Sequence, residues 1–190
     1  HESASAIESV NTIVNEDSEL HAYNTDYQAV ASLLRSSGFS HDFSVAVTGS
    51  GGMAKAVVAA LRDSGFTNGT VIARNTETGP ALAQAYGYRF SREALPADLL
   101  VNVTPVGMAG GPDADASPYT DEQIHSASAV FDVVAMPSET PLITAARTAG
   151  IPVVTGAEVI ALQAAEQFVL YTGVRPTDDQ IRRASEFSRR

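Results

Sequence analysis

Short apolar runs and amphipathic stretches alternate along most of this chain. Ser44–Thr48 (SVAVT) is an apolar run of strand length, and Gly49-Ser50-Gly51-Gly52 follows at once. Met53–Ser64 then carries Val57, Val58, Ala60 and Leu61 at helical spacing, with Gly65 where a helix-terminating glycine belongs. The alternation continues through a strand at Thr70–Ala73, a short helix at Pro80–Tyr86, a weak strand at Tyr88–Phe90 and a strand at Asp98–Val103. Ala109–Ser117 is loop by composition. A strand at Ala129–Val134, a helix at Pro141–Ala149, a strand at Ile151–Thr155 and a long helix at Ala157–Tyr171 follow. Thr177 is a candidate N-cap for a final helix reaching about Ser188, with Asp178 and Asp179 in its first turn.

Strands that alternate with helices imply a parallel sheet covered on both faces, because each parallel crossover needs a connecting helix. The expected fold class is therefore α/β, a Rossmann-like doubly wound sheet over residues 41–173. The first 40 residues differ. Ala6–Val14 and Leu20–Tyr23 read as two strands around a turn at Glu16-Asp17-Ser18-Glu19, and Asp26–Ser37 as a helix with Ala29, Val30, Leu33 and Leu34 on one face. Two strands and a helix are marginal as a domain. This segment is expected to be the tail end of a separate α/β substrate domain, against which residues 174–190 pack back.

The glycine loop brings in chemistry. Gly49-x-Gly51-x-x-Ala54 leaves a strand and opens a helix, the context that gives the motif its meaning. One glycine makes the tight turn, the next lets the backbone approach a pyrophosphate, and the small third residue lets helix pack on strand. Ser50, Gly52 and Met53 complete the loop, whose free N–H groups face an anion. A glycine turn without a ligand is the plainer alternative. An NAD site places an acid at the end of the second strand, but here stand Arg74 and Asn75. The planar fork of an arginine suits a 2′-phosphate, which favours NADP over NAD. Asn102–Met108 (NVTPVGM) ends the next strand at the edge where such sheets bind ligands.

Charge and composition narrow the classes. The chain has 190 residues, 44% of them hydrophobic, so it can bury a core. A net charge of −10 argues against a nucleic-acid partner, which needs a basic face. Without cysteine there is neither disulfide nor thiolate metal site, and His1, His21, His41 and His125 lack ligand spacing. No apolar run is long enough to span a membrane. A cytoplasmic protein that binds small molecules, as a monomer or homodimer, is the expectation.

Together, Glu8–Thr12, Tyr23–Asp26 (YNTD), Gly49–Lys55, Asn102–Met108, Asp132–Pro141 (DVVAMPSETP) and Gly156–Gln167 resemble the shikimate dehydrogenase family, in the family's order. The GSGGMAKAVVAA and DVVAMPSETP stretches look most like its shikimate dehydrogenase-like subgroup. The resemblance implies NADP-dependent interconversion of shikimate and 3-dehydroshikimate, a step of aromatic amino acid biosynthesis. It implies that Asp26 is the aspartate of a catalytic lysine–aspartate pair, and that Asn11 and Gln163 bind substrate hydroxyls. It also assigns Gly49–Ala54, Arg74, Asn75, Thr104, Gly107, Val133 and Gly156 to the cofactor. Lys55, the only lysine, belongs to the nucleotide helix, so the family's catalytic lysine has no counterpart here and the N-terminal part of the family pattern is not represented. Ala135 and Val159 replace a common tyrosine and methionine, which leaves quinate or another cyclic polyol acid as an alternative substrate. By residue chemistry alone, Asn24-Thr25-Asp26 is also readable as a helix cap, and the chain as a dinucleotide-binding module without catalysis.

Overall fold

In the computed structural model, residue 7 and residues 9–188 are described. Two sheets form: a two-stranded hairpin and a six-stranded parallel sheet. The hairpin pairs β1 (Thr12–Glu16) with β2 (Glu19–Tyr23). Asp17 and Ser18 turn it, with φ of 51° and 72°. Two positive-φ residues are what a tight two-residue hairpin loop requires, because its twist then matches that of the strands. The expected strand over Ala6–Val14 is shorter and later than anticipated. The turn sets the register Thr12↔Tyr23, and the last backbone bond before it runs from Asn11 N to Tyr23 O. Beyond that point β2 has ended, since Asn24 caps a helix. Ala6 and Glu8 lie outside the described residues.

α1 (Thr25–Ser36) follows, then β3 (Val45–Thr48), α2 (Gly52–Asp63), β4 (Gly69–Ile72), α3 (Thr78–Tyr86), β5 (Arg89–Ser91) and β6 (Leu99–Asn102). The rest is α4 (Asp121–Ser126), β7 (Ala129–Asp132), α5 (Pro141–Thr148), β8 (Val153–Val154), α6 (Gly156–Thr172) and α7 (Asp178–Ser188). The sheet order is β5-β4-β3-β6-β7-β8, all parallel. In order of appearance its strands lie 3-2-1-4-5-6, the doubly wound order with its switch point between the first and fourth strands. Here that point lies between β3 and β6.

Period-two alternation distributes the core. Val45, Val47, Leu99, Val101, Ala129 and Phe131 face a cluster with α1, α2, α3 and α6. Ala46, Leu100 and Val130 face the opposite cluster with Ile124 of α4 and Leu142, Ile143 and Ala146 of α5. β3, β4, β6 and β7 are thus buried on both sides, as their unbroken apolar runs predict. Ala29, Val30, Leu33 and Leu34 carry α1 into the first cluster, against α2 and α6. α4 was not expected, because Ile124 is its one buried residue. Its sequence signal is the capping box Thr120–Gln123, in which each side chain bonds the other residue's backbone N–H. The strand expected over Ile151–Thr155 shrinks to two residues, since only Val153 and Val154 find partners on β7.

Candidate functional site

The carboxyl ends of β3 and β6 open the crevice at the switch point, and the glycine loop forms one lip. Gly49 has φ +125°, and a Cβ there would lie 2.8 Å from Val103 Cγ2 and 3.0 Å from the Val103 carbonyl oxygen. No other residue type fits between these two loops. At Gly51 and Gly52, by contrast, an added Cβ would meet nothing within 4 Å, and both residues are exposed. Internal packing therefore does not require glycine at these two positions. Their open backbone at the start of α2 suits close approach of an anion to free N–H groups. Ala54 is fully buried, consistent with the close packing of helix on strand.

Beside this loop lies the end of β4. Arg74 is exposed, just past the strand's carboxyl edge. Asn75 acts locally. Its Oδ1 accepts from the N–H groups of Glu77 and Thr78 at 2.8 and 2.9 Å and so shapes the start of α3. The hydroxyls of Ser50 and Thr78 lie 2.7 Å apart, joining the glycine loop to α3. Thr78 is a residue that sequence reasoning did not single out.

The loops after β6 and β7 are held by a buried polar network. Asp132 and Asn102 are completely buried at the ends of their strands. Asn102 Nδ2 donates to Asp132 Oδ1 at 3.0 Å and to Val106 O at 3.1 Å. Val134 N donates to the same carboxylate oxygen at 3.0 Å, and the Thr140 hydroxyl donates to Oδ2 at 2.7 Å. Asn102 Oδ1 accepts from the N–H and hydroxyl of Thr104 at 3.0 and 2.6 Å. Burial pushes the Asp132 carboxyl above its ordinary value, partly opposed by bonds from Thr140, Val134 and Asn102. Ala109 N donates to Met136 O, tying the two loops together. Gly107, at φ +87°, sits 3.2 Å from Thr140 when given a Cβ, and Gly156 would place one 2.3 Å from Val133 O. Thr104, Gly107, Val133 and Gly156 are thereby gathered on one edge. Asp132, Asn102 and Thr140, which gather them, carried no local sign of this role.

A second cluster joins the hairpin to α1 and α6. Asn24, not Asp26, caps α1: its Oδ1 accepts from Tyr27 N at 2.9 Å. The Asp26 side chain is therefore not engaged as the cap. Asp26 is half-buried, and burial raises its carboxyl above the usual range while a hydrogen bond from the Asn11 side chain lowers it. Gln163 Nε2 reaches from α6 to donate to Thr25 Oγ1 at 3.1 Å. Asn11 and Gln163 are therefore joined through Thr25, the neighbour of Asp26 in sequence, by bonds that span 14 and 138 positions. Among the described residues no group of His, Asp and Glu could hold a metal ion.

A doubly wound sheet with this loop at its switch point defines the dinucleotide-binding class of α/β folds. Comparison with known proteins narrows it. The chain is 51% identical, over its whole length, to the shikimate dehydrogenase-like protein of Haemophilus influenzae, and it spans about 70% of that relative. A solved shikimate 5-dehydrogenase-like protein superposes with a TM-score of 0.96 at 50% identity, covering 100% of this chain and 71% of that one. Shikimate 5-dehydrogenase of Thermus thermophilus, in complex with NADP(H) and shikimate, matches at 0.83 and 32%, covering 98% and 70%. Quinate dehydrogenase of Corynebacterium glutamicum, in complex with NAD, matches at 0.86 and 27%, covering 99% and 71%. No family model matches the chain. The chain belongs to the shikimate dehydrogenase family. No helix among the described residues is long and apolar enough to cross a membrane.

Proposed function

We propose that this chain contributes the nucleotide site and one wall of the substrate site to an NADP-dependent oxidoreductase that interconverts shikimate and 3-dehydroshikimate. The observation that carries the reading is the pairing of two sites in one fold. Open backbone at Gly51 and Gly52 faces the switch-point crevice, and the Asn11–Asp26–Gln163 cluster lies on the α1 and α6 side of the same sheet. The nicotinamide, when bound, accepts hydride from the carbon that bears the hydroxyl. The protein's own residues then act in three ways. Gly49–Ala54 receive the pyrophosphate, and Arg74 pairs with the 2′-phosphate. Asn11 and Gln163 bind ring hydroxyls with what their amides have left after bonding Thr12 and Thr25: an Nδ2 proton of Asn11, and the oxygen and second Nε2 proton of Gln163. Asp26 holds the reacting hydroxyl and shares its proton as hydride leaves. Its raised affinity for protons brings it nearer the range useful to a general base.

The family resemblance pairs this aspartate with a lysine. Lys55, the chain's single lysine, is in the first turn of α2, so on this reading the chain by itself turns over little substrate. Ala135 and the fully buried Val159 stand at positions that distinguish members, and a quinate-type substrate is the second reading. Fluorescence titration with NADPH and NADH tests the nucleotide site. Tighter NADPH binding that weakens in Arg74→Ala is expected. Equal affinity for both would remove the 2′-phosphate role, and binding of neither would remove the site.

A further inference from the structure

An amide side chain has two orientations related by a half-turn, and they exchange donor for acceptor. The Asn11 side chain also bonds the Asp26 carboxyl, and it can donate there in only one of the two orientations, with Nδ2 toward the carboxylate. Asn11 is an exposed residue, so packing alone does not choose. Three donors surround its Oδ1: the Thr25 N–H at 2.9 Å, the Thr25 hydroxyl at 3.2 Å and the Thr12 hydroxyl at 2.9 Å.

A hydroxyl can donate in one direction only, so what occupies its lone pairs decides where its proton points. Gln163 Nε2 donates to Thr25 Oγ1 at 3.1 Å, and Gln167 Nε2 donates to Thr12 Oγ1 at 3.0 Å. Both threonines thus accept from α6 and donate to Asn11. Gln163 and Gln167 are four residues apart on α6, which puts them on one face of the helix. Thr12 is 2% exposed and Thr25 0%, so water does not substitute for either glutamine.

We propose that Gln167, acting through Thr12, is a positioning residue that completes this relay and fixes Asn11 with its oxygen inward and its NH2 group toward Asp26. Gln163 does the same through Thr25, and Gln167 does so without approaching the substrate itself. The link to catalysis rests on the function proposed for Asn11 and Asp26. The orientation does not, and it can be measured without ligand or turnover.

The test is NMR of the side-chain amides in this chain, with the Asn11 pair identified by its disappearance in Asn11→Ser. In the unsubstituted protein the Asn11 Nδ2 protons should give one set of sharp resonances with NOEs to the Asp26 Hβ protons. Gln167→Met removes the donor at similar volume, and Thr12→Val removes the hydroxyl. Each should shift or broaden the Asn11 pair and weaken those NOEs, because one of the three donors that hold the oxygen is removed or released from its own partner. Thr12→Ser, which keeps the hydroxyl, should restore them. If Gln167→Met does not give a native backbone spectrum, the Thr12→Val and Thr12→Ser pair decides. Unchanged Asn11 resonances and NOEs in folded Gln167→Met and Thr12→Val would overturn the proposal and leave Gln167 as a tie between hairpin and helix. Failure of the NADPH titration would leave this result untouched.

Discussion

The two ends of the parallel sheet each carry an aspartate, and the two are held in opposite ways. At the amino end Asp98 is only partly buried. Its Oδ2 accepts from the Ser44 N–H and hydroxyl at 2.9 and 2.6 Å, and its own N–H donates to Ser44 Oγ at 3.0 Å. These bonds hold its carboxyl below the ordinary value. At the carboxyl end Asp132 is completely buried, and burial raises its carboxyl. Asp98 stitches β3 to β6 where water still helps to solvate the charge. Asp132 gives up that solvation in order to hold two loops in fixed positions. A cost that three hydrogen bonds only partly offset marks that edge as the one where geometry matters, in keeping with ligand binding beyond the carboxyl ends of the strands.

The largest effect that would sharpen this contrast is expected at Gly156. A side chain there drives into the Val133 and Val134 backbone at 2.3–2.4 Å, and no rotamer change relieves a backbone clash. Gly156→Val should cost more than about 3 kcal/mol of unfolding free energy in a urea titration. A cost below about 1 kcal/mol would mean that the start of α6 shifts freely and that the edge is not fixed. Asp132→Ala comes next. It leaves Val134 N, the Thr140 hydroxyl and one Asn102 proton without their acceptor, at a cost of about 2–3 kcal/mol. Asp132→Asn, of the same shape, should lose less. Equal losses would assign the effect to the carboxylate itself rather than to shape.

Gly51→Ala separates stability from function at the same edge. An added Cβ meets nothing, and Gly51 has φ −82°, open to any residue. As the residue that caps α2, it should cost less than about 1 kcal/mol on changing to alanine. NADPH affinity should nevertheless fall about tenfold or more, because on the function proposed above the pyrophosphate approaches the backbone where the new methyl group would stand. Unaltered affinity would move the pyrophosphate away from this loop.

How much of this was legible in the sequence depends on how far the signals reach along the chain. β3, β6 and β7 are buried on both faces, so VAVT, LLVN and AVFD declare themselves locally. The glycine loop is equally local. α4 was hidden because a six-residue helix with one buried side chain has almost no periodicity, and its capping box was the only sign. The site is the harder case. Asn102 and Asp132 lie 30 residues apart, and Thr12 and Gln167 lie 155 apart. Nothing in either stretch announces the other, since a buried polar side chain looks in sequence like any exposed one. Asn11, Asp26 and Gln163 emerged through family resemblance. Thr12, Thr25 and Gln167 required the folded chain, although the Gln163–Gln167 spacing was a sign that two amides share a helix face.

The smallest expected effect lies at the amino end and concerns pH. The folded-state pKa of Asp98 is depressed, so its stabilising contribution is present above the unfolded-state value, about 4, and is lost as pH falls through the lower folded value. Asp132, with its folded pKa raised, has the reverse sign: its ionised form is disfavoured by folding, and stability is recovered as pH falls from the raised value toward the unfolded one. Asp98→Asn should cost about 1 kcal/mol near neutral pH, the difference between a charge-assisted and a neutral hydrogen bond to Ser44. That gap should close as pH falls below about 4 and through the depressed folded value. For Asp132→Asn the gap to the unsubstituted protein should instead widen as pH drops, because protonation relieves a cost that the amide never carries. Urea titrations of both variants from about pH 2 to about pH 7 check the pair. Parallel curves would mean that the two carboxylates are solvated alike, and the contrast between the two ends of the sheet would then reside in backbone geometry alone.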